Sequence, residues 1–362
     1  MSKDINTIPI GNAGKINELI PHSAFRDLHS KERGSLMVLL SWVLVALSLI
    51  ALSFSRSVRM EVKATVNEVE LKQSYYIARS AVYYTINRAL IQASKNQGAG
   101  AAVVGLQSGL QPETDPELDS GHLTFAIAGG EAEVEITDET GKININFASP
   151  DLLRGLFLQL GINRDTGLAL ADAIGDWRDV DKDPLPLGAE DDYYMSLPEP
   201  YHCKDGAFDN IQELLLVKGV TPEIFYGQRF KDESGKEMVR GGLVNFLTTY
   251  TYTNRINIKS APFEVLASIP GMDPERARQI VAHRGETKLP SAGQISEQLG
   301  IQADPNVMSL LTISNGNVFS LKVTARLNGK RIASLIRCTF GTDAISSTGY
   351  RIYYWNENNL EL

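Results

Sequence analysis

The residues best suited to chemistry in this chain are gathered in one short acidic run. Asp176, Asp179, Asp181, Asp183, Glu190, Asp191 and Asp192 place seven carboxylates within 17 residues. Like charges this dense repel unless water solvates them or a hard cation bridges them, and the run by itself permits both. With Asp179 as loop position 1, Asp181 falls at 3, Asp183 at 5 and Glu190 at 12, which are EF-hand ligand positions. Pro184 stands where that loop turns on glycine, so the turn is not an EF-hand's. The run follows a helix ending near Trp177.

Other chemistry is missing. The sequence holds no CxxC, HExxH, GxSxG or phosphate-cradling glycine loop, and its five histidines are scattered without ligand or triad spacing. No nucleophile–base pair stands out, so the reading is non-enzymatic. Two cysteines, Cys203 and Cys338, are far apart; they either pair in an oxidising compartment or stay as separate buried thiols. The net charge is −8, which gives no general attraction for phosphate backbones.

The positioning elements begin with residues 35–54, an apolar run without charge between Arg33 and Arg56. At about 1.5 Å per residue, such a helix spans roughly 30 Å of hydrocarbon. Lys31-Glu32-Arg33-Gly34 precedes it. A secretory signal would have a shorter apolar core, and a plain anchor would need no glycine at the hydrophobic edge; Gly34 alone decides neither. Lys31 and Arg33 favour a cytoplasmic amino end, although Arg56, Arg59 and Lys63 lie on the other side. Beyond the run, Val58, Val62, Val66, Val69, Tyr76, Tyr83 and Leu90 keep helical spacing, which predicts a long helix whose upper half packs that face on a head. Tyr75, Tyr76, Tyr83 and Tyr84 are expected to pack on its sheet. The arrangement resembles a type IV pilin-like protein, in which a peptidase cuts between Gly34 and Ser35.

After a polar loop, His122–Ala128 and Glu131–Thr137 alternate about Gly129-Gly130 as a hairpin. A second hairpin, 318–327 and 331–340, flanks Asn328-Gly329, with a closing strand at Tyr350–Trp355. An isolated hairpin is marginal in water, so the two are expected to share one sheet split by an insertion. That insertion reads as mostly helical. Ile143-Asn144-Ile145-Asn146 and Ile256-Asn257-Ile258-Lys259 each lead to a Ser (Ser149, Ser260) suited to capping an amphipathic helix. Helix–glycine–helix phrases recur at 211–222 and 269–284, with the turn glycine at a helix end. The fold class is α+β: a long N-terminal helix, an antiparallel sheet and a large helical, helix-hairpin-helix-like insertion. The segments are a leader (1–34), the helix (35–97), an α/β body (98–138 and 316–362) and the insertion (139–315).

Gly-Lys-Ile-Asn-Ile-Asn (141–146), Ala-Ile-Gly-Asp-Trp-Arg-Asp (173–179), Gly-Ala-Glu-Asp-Asp-Tyr-Tyr (188–194), Glu-Leu-Leu-Leu-Val-Lys-Gly-Val (213–220) and Tyr-Tyr-Trp (353–355) occur in this order behind the leader junction. Together they resemble general secretion pathway protein K (GspK), the large minor pseudopilin family of type II secretion. The resemblance implies cleavage by prepilin peptidase, a single-pass inner-membrane anchor and a periplasmic head. It implies a place at the tip of the pseudopilus, above the major pseudopilin filament, beside minor pseudopilins of the I and J types. It also implies Ca²⁺ in the insertion, without fixing which acids ligate. Cleavage would make Leu39 the fifth mature residue. Most pilin-like subunits have Glu there to offset a neighbour's terminal ammonium, and the K family resembles this chain in lacking it. A rival resemblance, to helix-hairpin-helix DNA receptors of competence, is weakened because Met272-Asp273 puts a carboxylate where the second turn glycine belongs.

Overall fold

The computed structural model describes residues 27–96, 121–127, 129–231, 237–284, 305–313, 316–330, 332–343 and 345–361. Most of the expected leader and the loop before Gly121 lie outside them. One compact unit ends at Glu68 and the other runs from Val69 to Leu362.

In the first unit, α1 (Asp27–Asn96) begins, and its backbone runs through Gly34 and Ser35. Every large apolar side chain from Leu36 to Phe54 is exposed, Leu39 included. Among the described residues this is the one helix long and apolar enough to cross a membrane.

In the second unit the same helix packs on a sheet. Its buried face is Ser74, Ile77, Ala78, Ala81, Val82, Thr85, Ile86 and Ala89, spaced alternately by three and one as one side of a helix requires. The expected stripe was Val69, Tyr76, Tyr83 and Leu90, and it is offset: Val69, Tyr76 and Tyr83 are exposed and Leu90 sits at the edge. Close approach explains the correction, because alanines bring the helix axis near the sheet while tyrosines do not fit beneath it. Tyr76 is 61% exposed, contrary to expectation. The Tyr75 hydroxyl donates to Glu357 Oε1 at 2.9 Å, and the rings of Tyr84 and Tyr83 lie 5.3 Å from Phe125 and 6.2 Å from Trp355.

β1 (Gly121–Ile127) and β2 (Gly130–Asp138) form the first hairpin, turning at Gly129 with φ +80°. The insertion then contributes short pairs: β3 (Ile143–Asn144), β4 (Gly227–Lys231), β5 (Glu237–Gly241), β6 (Leu247–Thr248), β7 (Ile256–Asn257) and β8 (Leu311–Thr312). The chain returns as β9 (Val318–Leu327), β10 (Ile332–Thr342) and β11 (Tyr350–Glu361), the last longer than its alternation suggests. The antiparallel order β1-β2-β9-β10-β11 is one sheet, with β2 and β9 joined from Gly130↔Leu327 to Asp138↔Phe319. At one end of that sheet Lys330 pairs with Glu70 at 2.7 Å and Ser334 bonds Ser74 at 2.8 Å. At the other, Gly349 approaches Leu90, and the insertion leaves at Asp138 and returns at Val318. The insertion therefore sits at the end of the head remote from where α1 enters it.

The two related phrases fold alike. β3 pairs in parallel with β6, and β7 with β8. Asn144 Oδ1 accepts from Asn146 N at 2.8 Å, as Asn257 Oδ1 accepts from Lys259 N at 3.2 Å. After them come α2 (Pro150–Gln159) and α3 (Arg164–Arg178) in one copy, turning at Gly161 with φ +69°. In the middle phrase the first helix is a 3-10 turn, Ile211–Leu216, before Gly219 and α5 (Pro222–Tyr226). The other copy has α6 (Phe263–Ala267) and α7 (Pro274–His283) about Gly271 at φ +86°. Ser149 caps α2 as expected, accepting from Leu152 N. Ser260 does not cap α6, which starts after Pro262. Its hydroxyl instead donates to Asp138 Oδ2 at 2.8 Å, since a carboxylate this buried needs every donor in reach.

Asp138 ties the sheet to the insertion. It also accepts from Thr140 N (2.9 Å), Thr140 Oγ1 (2.6 Å) and Asn257 Nδ2 (3.1 Å). Cys203 and Cys338 are both buried and unpaired, the first in the insertion's core and the second between α1 and the sheet. Asp138→Ala strands those donors and should cost about 2–4 kcal/mol by urea unfolding of the full chain in detergent. Asp151→Ala, at an exposed position, should stay within about 0.5 kcal/mol. Equal effects would deny the junction its role.

Candidate metal centre

Asn163 starts α3 by accepting from Thr166 N at 2.8 Å, and the helix buries Leu170, Ala173, Ile174 and Trp177. That same face carries Asp176 inward in the last turn, where it is fully buried. Its carboxylate accepts from Leu185 N at 3.2 Å, folding the following loop back over the helix end. Only glycine fits at 188, because a Cβ there would lie 1.9 Å from Asp176 Oδ2. Lys218 Nζ donates to Gly188 O at 2.8 Å from the side, and Trp177 stacks among Tyr194, Tyr201 and Phe208 below.

The loop delivers Glu190 to the start of α4 (Asp191–Tyr194), where it makes no capping bond. Glu190 is 6% exposed and neither carboxylate oxygen has a partner; Asp179 Oδ1 and Asp205 Oδ1 are likewise buried and unpartnered. Ligand atoms of Asp179, Asp181 and Glu190 lie within 4.8 Å of one another, and so do those of Glu190, Cys203 and Asp205. The nearest guanidinium, Arg178, turns away to donate to Ile145 O and Ala148 O. Among the described residues no lysine or arginine forms an ion pair with these acids. Burial is the first cause that raises Asp176 and Asp179, with neighbouring carboxylates adding to it.

The remaining expected acids do other work. Asp181 Oδ1 accepts from Asp183 N at 3.0 Å, while Asp183 and Asp192 are exposed and outside both groups. Asp191 accepts from Cys203 N at 2.7 Å and contacts His202 Nδ1 at 3.2 Å, which hold its carboxyl below the usual range. It thereby pins the Tyr201–Gly206 segment across the site. Cys203 and Asp205 escaped the acidic-run reading because they lie beyond it in sequence; Asp205 has φ 48°, before Gly206. The only sequence signal was that Asp-Gly turn. Four orphaned carboxylate oxygens in one pocket fit a hard divalent cation, which takes oxygen ligands at about 2.3–2.6 Å.

Two family models, both described as type II secretion system (T2SS) protein K, match residues 136–227 and 256–314. By these matches the chain is similar to the type II secretion protein K family. Type II secretion system protein K of Pseudomonas aeruginosa is 25% identical over 254 residues, 67% of this chain and 69% of that one. Its counterpart in Pectobacterium carotovorum subsp. carotovorum is 24% identical, over 55% of this chain and 61% of the relative. Among solved structures, a chain of the GspK-GspI-GspJ complex from enterotoxigenic Escherichia coli superposes with TM-score 0.57 at 15% identity, over 80% of this chain and 99% of that one. The fold of this chain, a long helix, an antiparallel sheet and a helical insertion, is the one that solved chain shares.

Burial, then Asp176, Asp205 and Asp179, push Glu190 up to about 7 from an ordinary 4.5. A carboxyl raised in the fold contributes stability that is full below the unfolded value and lost as pH climbs through the folded one. With chelator present, the wild-type melting temperature should fall relative to Glu190→Gln as pH rises from 4.5 to about 7. Parallel curves for the two chains would contradict the burial of that charge.

Proposed function

We propose that this chain is a membrane-anchored minor pseudopilin that caps a periplasmic pseudopilus and takes part in protein export without doing chemistry itself. The observation that carries the reading is α1: its first part presents bare apolar side chains from Leu36 to Phe54, and its later part is the spine of the five-stranded head. The anchor would lie in the inner membrane, Gly34 would be the cleavage point and Ser35 the new amino terminus. Leu39 would offer no carboxylate to a subunit above it, which suits the last subunit of a stack.

The place of the insertion supports the tip. It leaves the sheet at Asp138, at the end of the head remote from Glu70 and Ser74. A subunit stacked on that end would meet residues 139–315, whereas the top of a filament leaves them room. The complex named for the enterotoxigenic E. coli structure supports I- and J-type partners. Ca²⁺ would be held by Asp179, Asp181 and Glu190 with Asp205 beside them, supplying the positive charge their oxygens lack. Mg²⁺ would serve poorly, since it demands a tighter octahedron and keeps its waters.

The DNA-receptor reading loses its footing at the hairpins. The helix N-termini that would take phosphate are capped by the chain's own side chains, Asn163 on α3 and Asp273 on α7.

Co-expression with prepilin peptidase should convert the 362-residue chain to one beginning at Ser35, read by mass spectrometry; a product retaining residues 1–34 would sink the pseudopilin assignment. Calcium a hundredfold above its Kd should stabilise the chain by about 2.7 kcal/mol over the chelated form. Asp179→Asn should remove most of that gain and Asp192→Asn little of it. Identical melting with calcium and with chelator would leave a solvated acidic cluster and no calcium site.

A further inference from the structure

The face of the sheet turned away from α1 meets the insertion in a cleft of about 320 Å³. Its floor is made of two cross-strand rows. In one, Glu135, Lys322 and Arg337 stand directly opposite one another on β2, β9 and β10, with Asn356 of β11 at the end. The other row is hydroxyl throughout: Thr137, Ser320, Thr339 and Tyr354. Ile136, Leu321, Ile336 and Cys338, the residues between them, pack under α1, so both rows face the cleft. Ile211, Val244 and Leu247 of the insertion give it an apolar wall. The charges of this cleft do not balance. Lys322 is held by Glu135 Oε1 at 2.5 Å and Lys142 by Glu139 Oε1 at 2.7 Å. Arg337 is left over: among the described residues its guanidinium forms no ion pair and no side-chain hydrogen bond. It nevertheless stands directly opposite a second cation, Lys322, where like charges repel. A chain of net charge −8 thus keeps one uncompensated cation beside a row of hydroxyls and below an apolar wall.

We infer that this cleft docks an extended acidic segment of a partner protein, with an Asp or Glu carboxylate on Arg337 and an apolar neighbour against Ile211, Val244 and Leu247. A guanidinium offers a carboxylate two parallel N–H donors, and the hydroxyls of Thr137 and Tyr354 are further donors in the next row. The partner's carboxylate supplies the charge that Glu135 and Glu139, already engaged, do not. The volume lies at the small end of ligand cavities, which run from roughly 300 to 1,000 Å³, and so suits a few side chains of an extended segment rather than a folded domain. A free dicarboxylic acid would satisfy Arg337 and leave the apolar wall bare, which favours the peptide. The cleft does this without the membrane anchor and without a bound cation.

The test pans the full chain in detergent against a library of short random peptides and measures the winners by fluorescence anisotropy. Asp or Glu should be enriched at one position beside aliphatic residues, and changing that acid to its amide should weaken binding about tenfold. Arg337→Gln, at an exposed position, should weaken it by a similar factor, while Arg164→Gln, equally exposed on α3, should leave it unchanged. Glu135→Gln frees Lys322 beside Arg337 and should tighten the acidic peptide about two- to fivefold, a gain that a purely structural Arg337 would not give. Winners without an acid, unchanged affinity in Arg337→Gln, or an equal loss in Arg164→Gln would overturn the site. Glutarate that displaces the peptide at a concentration near the peptide's own Kd would show a small-carboxylate site and overturn the docking role.

Discussion

A carboxylate in a protein interior must find a hydrogen-bond donor, a positive charge or a proton. The insertion of this chain sets that requirement at its centre. Asp176 meets it through backbone N–H groups, and doing so folds the Val180–Gly188 loop back on α3. Asp191 meets it through Cys203 N and so holds the next segment in place. Glu190, Asp179 and Asp205 are left with oxygens that nothing among the described residues satisfies. The path of the chain from Asp176 to Asp205 is arranged around that shortfall. A bound cation, as proposed, would turn the same arrangement from a source of repulsion into a clasp between a helix end, a loop and a crossing segment.

The rest of the molecule connects this clasp to a helix. Asp138 solves the same problem at the junction with four donors, two of them from Asn257 and Ser260 in the insertion. From there β2 and β9 run the length of the sheet to the end where Ser74 and Glu70 of α1 are held. Sheet, helix and insertion thus share one continuous framework within the head. The head has one end committed to its helix and the other to the insertion, an asymmetry that suits the proposed place at a filament tip.

Much of this was legible in the sequence where local chemistry decides. Gly129 and Asn328-Gly329 announced the two hairpins, and Gly219 and Gly271, which the fold holds at positive φ, announced two helix turns. The paired Ile-Asn phrases announced two modules of one design. What escaped depended on tertiary contacts. The buried side of α1 was offset from its valine and tyrosine stripe, because alanines, which carry little hydrophobic signal, set the close face. Ser260 had the type and place of a helix cap but is claimed by Asp138, more than a hundred residues away. In the acidic run, spacing alone could not separate Asp183 and Asp192, which face solvent, from Glu190, which does not. Cys203 and Asp205 enter only because Asp191 draws their segment across.

The central claim is that a cation completes the interior of the insertion. Amide hydrogen–deuterium exchange of the full chain in detergent, with calcium and with chelator, addresses it directly. The account predicts that peptides covering residues 179–205 gain protection with calcium while those in β2, β9 and β10 stay the same. Equal exchange across 179–205 in the two conditions would contradict it.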